Sequence, residues 1–348
     1  MLTGDSGTLD ETALFAPFER APAILAAVSG GPDSMALMLL AARWGRGRGG
    51  GGSGRPRIEV ATVDHGLRAG ARAEAEMVAR IAGSLGLPHH LLEWAGPKPA
   101  TRLQERARAA RYALLDACAT RIGANVLWTA HHADDQAETI LFRLQRGSGI
   151  AGLAGMATVS TRGGLTHGRP LLGVAKDNLV AFCSRERLEF VTDPSNADPR
   201  FARARLREIM PLLAQHGLGR EEWLRLGARA ARAEAALADY TRQTLTSLGA
   251  RREERGFRVD FGAAGAPSRE ILVRVLQDEA ARLHPHGVRP RLDRAESLAL
   301  ALENALKSGA AHRATLGGAL VRLDREGALT LQPEKPRHSQ RVRRLSSL

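Results

Sequence analysis

The chain has 348 residues, enough for about two domains at roughly 150 residues each, and its 44% hydrophobic and 25% charged composition is that of a globular protein. No run approaches the ~20 apolar residues of a membrane span, and the N-terminus lacks the basic-then-apolar pattern of a signal peptide. Two distant cysteines, Cys118 and Cys183, exclude a disulfide framework and any CxxC metal pair, so a reducing cytoplasm is expected; the net charge of +13 points to a polyanionic partner, nucleic acid first.

In chain order, strands are expected at Ala23–Val28, Ile58–Val63, His89–Trp94, Asn125–Ala130 and Leu188–Thr192. Helices are expected between them at Ser34–Trp44, Ala71–Leu85, Arg102–Arg121 and Asp134–Arg146. This alternation, with a first strand apolar throughout, predicts an α/β fold: a doubly wound parallel sheet with helices on both faces. Ligands of such sheets lie beyond the carboxyl ends of the strands. Gly45–Arg57 reads as a solvated Gly- and Arg-rich connector. From about Gln215 the chain turns helical and polar, with no strand expected before Ala314–Glu334, a β-hairpin turning near Asp324–Gly327. Three regions are therefore expected. Residues 1–214 form the sheet domain, 215–334 a mainly helical domain with a small β element, and 335–348 a tail with five Lys/Arg and no Asp/Glu.

Between the first strand and the first helix stands Ser29-Gly30-Gly31-Pro32-Asp33-Ser34. A glycine-rich turn there offers free backbone N–H groups and the positive end of a helix dipole, which together hold phosphate. A Walker loop needs Gly-Lys-Ser/Thr and a dinucleotide fingerprint needs GxGxxG; neither is present. Asp33 sets a carboxylate where phosphate should sit. Two anions share such a site through a cation, so Asp33 predicts Mg²⁺ on a polyphosphate. The alternative is that Asp33 and Ser34 only cap the helix.

TAHHADDQAET leaves the fourth strand and enters a helix whose buried stripe is Ala137, Ile140, Leu141 and Leu144. Asp134, Asp135 and Glu138 gather on the flank beside that stripe, where a cation fits, either Mg²⁺ or an ammonium group. His131 and His132 lack the closed ligand set of a zinc site. One is read as a positioning or phosphate-contacting group and the other as a satisfied buried histidine. Gly147 suits a left-handed helix end, with Arg146 facing the phosphates. Arg203, Arg205 and Arg207 alternate, so they do not share one helix face.

SGGPDS resembles the SGGxDS loop of the N-type ATP pyrophosphatases, which cleave ATP between the α and β phosphates. TVDHGLR (Thr62–Arg68), ERARAARYALL (Glu105–Leu115), Thr129–Met156, RPLL (Arg169–Leu172) and Asp193–Leu213 resemble, in the same order, the tRNA(Ile)-lysidine synthetases. That resemblance implies ligation of L-lysine to C2 of the wobble cytidine of tRNA(Ile) with anticodon CAU. The route passes through an adenylated cytidine and releases AMP and pyrophosphate. It implies that Ser29, Gly30, Gly31, Pro32, Asp33 and Ser34 bind ATP, with His65 at the adenine pocket and Arg146 at the phosphates. Asp33, Asp135, Glu138 and Arg207 are the expected catalytic residues, with Asp33 on Mg²⁺, Asp135 and Glu138 on lysine, and Arg207 on phosphate. Residues 1–214 become the ATP-binding domain and 215–334 the tRNA-binding one. Arg203, Arg205, Arg341, Arg343 and Arg344 are expected on tRNA; a homodimer is left open. Ala204 stands where the family usually has Asn, which removes that hydrogen bond. The rivals are a tRNA thiolase, whose CxxC pairs this chain lacks, and a non-catalytic RNA-binding protein with a dead ATP site, against which intact Asp33, Asp135 and Glu138 argue.

Overall fold

The computed structural model describes residues 9–47, 55–67, 70–96, 98–99, 101–191, 202–262 and 265–334. The chain falls into two units, residues 1–147 with 152–228, and residues 148–151 with 229–348. In the first, the elements run α1 (Glu11–Phe15), β1 (Ala23–Ala27), α2 (Pro32–Arg46), β2 (Arg57–Asp64), α3 (Ala71–Ser84), β3 (His89–Glu93), α4 (Leu103–Ile122), β4 (Val126–Thr129) and α5 (Ala133–Gln145). They continue with α6 (Ile150–Leu153), β5 (Val159–Arg162), β6 (Leu165–Gly168), α7 (Lys176–Arg185), α8 (Ala202–Gln215) and α9 (Arg220–Ser247), of which α6 and α9 each run across the boundary between the units.

The apolar run of β1 makes it the central strand, because it must be covered twice. Ile24, Ala26 and Val28 enter one core with α2, α3 and α7; Ala23, Leu25 and Ala27 enter a second core with Leu115, Cys118 and Ala119 of α4. The strand order is β3-β2-β1-β4-β6-β5, with β3, β2, β1, β4 and β6 mutually parallel and β5 antiparallel at the edge. This is the expected doubly wound sheet. Chain direction across the sheet reverses between β1 and β4, so the loops after these two strands flank the switch-point crevice.

One expectation fails in this unit and one pair of strands was not expected. Leu188–Thr192 forms no strand over its described residues; β6 already occupies the position beside β4. Residues 188–191 instead pack as an apolar strap on the first core, and Val191 N–H donates to the Gly30 carbonyl at 2.9 Å. The short β5–β6 hairpin lacks an apolar run and was not anticipated.

The second unit contains β7 (Arg251–Glu253), β8 (Gly256–Asp260), α10 (Arg269–Leu283), α11 (Leu292–Ser308), β9 (His312–Leu316), β10 (Ala319–Leu323) and β11 (Ala328–Pro333). Its sheet, β7-β8-β11-β10-β9, is antiparallel throughout and packs Phe257, Val259, Val321, Leu329 and Leu331 with Ile271, Leu272 and Leu276 of α10. The expected hairpin is thus two strands of five. It does turn at Asp324, whose carboxylate accepts from Glu326 N–H (3.1 Å) and Ala328 N–H (2.8 Å). Gly317 and Gly318, with φ of +57° and +79°, supply the left-handed two-residue turn from β9 to β10. Strands β7 and β8 escape a sequence reading because β7 is three exposed charged residues and β8 only five residues long. No helix among the described residues is long and apolar enough to cross a membrane.

Candidate active site

The Ser29–Ser34 loop leaves β1 at the switch point and becomes the first turn of α2. Gly31 is the N-cap, Pro32 follows it, and Gly30 adopts φ +87°, which an L side chain rarely tolerates. The loop is tied internally. Ser29 N–H donates to Ser34 Oγ (3.1 Å), and Ser34 Oγ–H donates to the Gly31 carbonyl (3.0 Å). The Cys183 thiol donates to the Pro32 carbonyl (3.3 Å) and the 188–191 strap holds Gly30 from outside. The N–H groups of Gly30 and Gly31 have no acceptor among the described residues, as an anion-binding loop requires.

Asp33 does not cap the helix. Its Oδ1 is buried without a hydrogen-bond partner, and Oδ2 lies 3.5 Å from His132 Nε2. An orphaned carboxylate oxygen at the mouth of a phosphate loop fits a hard cation. No group of three His, Cys, Asp or Glu side chains among the described residues forms a metal site by itself, so most ligands of such an ion would come from phosphate and water.

The helix after β4 carries the second half of the site. His132 is its N-cap in a reciprocal capping box: Asp135 Oδ2 accepts from His132 N–H (3.2 Å) and Asp135 N–H approaches His132 Nδ1 (3.4 Å). Burial pulls the His132 imidazolium down, but the carboxylates of Asp134, Asp33 and Asp135 outweigh it and raise its pKa to about 9. The long Asp135 N–H contact needs a bare Nδ1 and belongs to the neutral form; in the charged form that the carboxylates favour, Nδ1–H faces Asp134 (3.6 Å). Of the expected stripe, Ala137 and Ile140 are buried and Leu141 is partly so, with Trp223 of α9 packed on them; Leu144 is exposed, one turn beyond that contact.

The three carboxylates separate into two roles. Asp134 turns toward the scaffold, accepting from Lys176 N–H (2.9 Å) and Arg220 NH1 (3.1 Å). Burial opposes its charge, yet His132, the Lys176 amide and Arg220 together hold it below the usual carboxylate range. Asp135 and Glu138 share Arg207: Nε donates to Glu138 Oε1 at 2.6 Å, and NH2 lies 3.9 Å from Asp135 Oδ1. The hydrogen bond to Glu138 is the main reason that Arg207 is raised above its ordinary value. Arg207, expected on phosphate, has its guanidinium on the acidic pair and within electrostatic reach of Asp33 in the loop.

His65, after β2, packs edge-on to Trp94, with Nδ1 buried and unpartnered; burial, then Arg111, lowers its pKa. Arg146 is exposed over the ring of Phe142 at the far end of α5. Thirteen residues of helix put it about 20 Å from the His132 end, so it does not face the phosphate loop. Arg205 is exposed on α8, the Arg203 side chain and the tail arginines Arg341, Arg343 and Arg344 lie outside the described residues, and Gly147 (φ +68°) ends α5 as expected. Sequence alone assigns no role to Arg220, Thr129, His167 or Arg169, although Thr129 and Arg169 open two of its motifs.

A nested glycine loop at the β1 exit, an orphaned carboxylate within it, and a switch point shared with β4 define a PP-loop protein that uses ATP. The PP-loop domain family model matches residues 8–213. The chain is 49% identical over 339 residues to the tRNA(Ile)-lysidine synthase of Rhodopseudomonas palustris, covering 95% of each chain. It is also 49% identical over 321 residues to that of Methylobacterium nodulans (91% of each). The chain belongs to the tRNA(Ile)-lysidine synthase family. Among solved structures, the U34-tRNA thiolase NcsA from Methanococcus maripaludis with its [4Fe-4S] cluster shares the fold, with a TM-score of 0.52 at 14% identity over 63% of this chain and 77% of that one. Cys118 and Cys183 are buried in separate cores on opposite faces of the sheet, so they cannot hold a cluster together.

Proposed function

We propose that this protein attaches L-lysine to C2 of the wobble cytidine of tRNA(Ile) with anticodon CAU, consuming ATP and releasing AMP and pyrophosphate. The observation that carries the reading is the pairing, across one switch point, of an anion-binding loop with an acidic pair that already holds a side-chain cation. Family membership at nearly full length supports the substrate assignment.

The cytidine C2 oxygen attacks the α-phosphorus and pyrophosphate departs. A lysine amine then attacks C2, and the former carbonyl oxygen leaves with AMP. Adenylation comes first because a ring carbonyl oxygen is not a leaving group until it becomes a phosphate ester. The Ser29–Ser34 loop holds the pyrophosphate portion through its free amides and the α2 dipole. Asp33 is the residue to hold Mg²⁺, which when bound neutralises charge gathering on the phosphates. Asp135 and Glu138 receive the lysine ammonium beside or in place of Arg207, and His65 borders the adenine. Residues 1–214 carry the chemistry, while residues 215–334 and the basic tail bind tRNA. ATP–pyrophosphate exchange with and without tRNA tests the reading. Exchange that requires tRNA is expected, and its absence would favour an RNA-binding protein with a dead ATP site.

A further inference from the structure

A chain of side chains behind the site ends on His131, two residues beyond β4, which the loop and the acidic pair leave without a role. Arg169 NH2 lies 3.0 Å from His167 Nδ1, His167 Nε2 lies 3.0 Å from Thr129 Oγ1, and Thr129 Oγ1 lies 2.8 Å from His131 Nδ1. Each direction in this chain can be fixed by donor inventory. A guanidinium only donates, so His167 Nδ1 must be an acceptor. His167 is therefore neutral with its proton on Nε2, which donates to Thr129. The threonine hydroxyl proton must then go to His131 Nδ1. Were His131 Nδ1 protonated instead, the hydroxyl would accept twice and its own proton would be buried without an acceptor, because Thr129 is 4% exposed and Oγ1 has no third partner among the described residues.

We infer that Arg169, through His167 and Thr129, locks His131 in the neutral tautomer with its proton on Nε2, presenting a hydrogen-bond donor to an acceptor oxygen of the substrate. Nε2 has no partner among the described residues, which leaves it available. The surrounding charges agree. Burial, followed by Arg169, Arg108, His167 and Arg111, lowers His131 to about 3, and burial with Arg169 and Arg162 lowers His167 to about 4. Both rings thus stay uncharged at neutral pH, and His131 neither delivers nor removes a proton as an imidazolium would. Arg169, His167 and Thr129 are positioning residues. The donor's part in catalysis rests on the function proposed above; the tautomer does not.

The test is a long-range ¹H–¹⁵N spectrum of the full-length protein with ¹⁵N-labelled histidine, the His131 signals being assigned by their loss in His131→Gln. At pH 7 the expected pattern is a pyridine-like Nδ1 and a pyrrole-like Nε2 for both His131 and His167. Thr129→Val should move the two His131 nitrogens toward averaged shifts as both tautomers become populated, whereas Thr129→Ser, which keeps the hydroxyl, should restore the single form. A pyrrole-like Nδ1 on His131 in the unaltered protein, or unchanged His131 shifts in folded Thr129→Val, would overturn the relay whatever the enzyme's activity.

Discussion

Arg207 Nε donates to Glu138 Oε1 at 2.6 Å, so an acidic pair that suits a lysine ammonium is held by a cation of the chain itself. The Glu138 side chain is 9% exposed and that of Arg207 42%. The carboxylate is thus the fixed partner and the arginine the one able to give way. Glu138→Gln should raise the KM for lysine by roughly thirtyfold or more, since removing one member of a buried charged pair costs roughly 2–5 kcal/mol. Asp135→Asn should act in the same direction, with ATP affinity preserved in both. Equal losses of lysine and ATP binding, by calorimetry, would assign the pair to a metal or a structural role instead.

Asp134, next in sequence to Asp135, should behave oppositely. Its contacts with Lys176 and Arg220 tie α5 to the starts of α7 and α9. Asp134→Ala should lower the denaturation midpoint and leave the lysine KM within about twofold. Hydrogen bonds to a charged group contribute about 1.5–3 kcal/mol, and partial exposure of both side chains keeps this pair toward the low end.

Asp33→Ala should abolish AMP release and pyrophosphate exchange while the protein stays folded, because Oδ1 leaves no partner behind and His132, the partner of Oδ2, keeps Asp134 and Asp135. Near-normal turnover in this variant would remove the metal role.

Acid should destabilise the protein partly through His131. Its folded pKa of about 3 lies below the ordinary 6.5, so the unfolded state binds the proton first and stability falls as pH drops through 6.5 toward 3. Between pH 7 and pH 5 the cost is about 2 kcal/mol. His132 titrates in the other sense: raised to about 9, it contributes stability below 6.5 that is lost as pH rises through 9. The informative comparison is urea unfolding of the unaltered protein and His131→Gln at the two pH values. The variant should lose less stability on acidification, and parallel losses would refute the assignment.

Binding of tRNA should weaken steeply with salt, by ~0.7–0.9 in log affinity per released counterion against log salt. Neutralising Arg341, Arg343 and Arg344 should reduce that slope without changing which tRNA is chosen, since phosphate contacts position but do not specify.

The sheet was legible because β1 is apolar on both faces and its neighbours alternate with helices at regular spacing. The phosphate loop was legible because two glycines, a proline and an aspartate at a strand exit have few structural reasons to occur together. What escaped depends on tertiary pairing. Spacing put Asp134, Asp135 and Glu138 on one flank, but the chain 40 to 90 residues onward divides them, sending Asp134 to Lys176 and Arg220 and leaving Glu138 to Arg207. Arg146 is not placed by its local pattern, because a helix-end motif carries no distance and the thirteen residues of α5 set it about 20 Å from the His132 end. The Arg169–His167–Thr129–His131 relay crosses from β6 to β4, and no local pattern announces a contact between neighbouring strands.

The central claim meets its most direct test in nucleoside mass spectrometry of isoleucine tRNA bearing the CAU anticodon, after incubation with the protein, ATP and isotopically labelled lysine. The account predicts a modified cytidine carrying the mass of one labelled lysine less water, formed only when ATP is present. An unmodified cytidine in the presence of active-site-competent protein, or a sulfur-bearing nucleoside in its place, would contradict it.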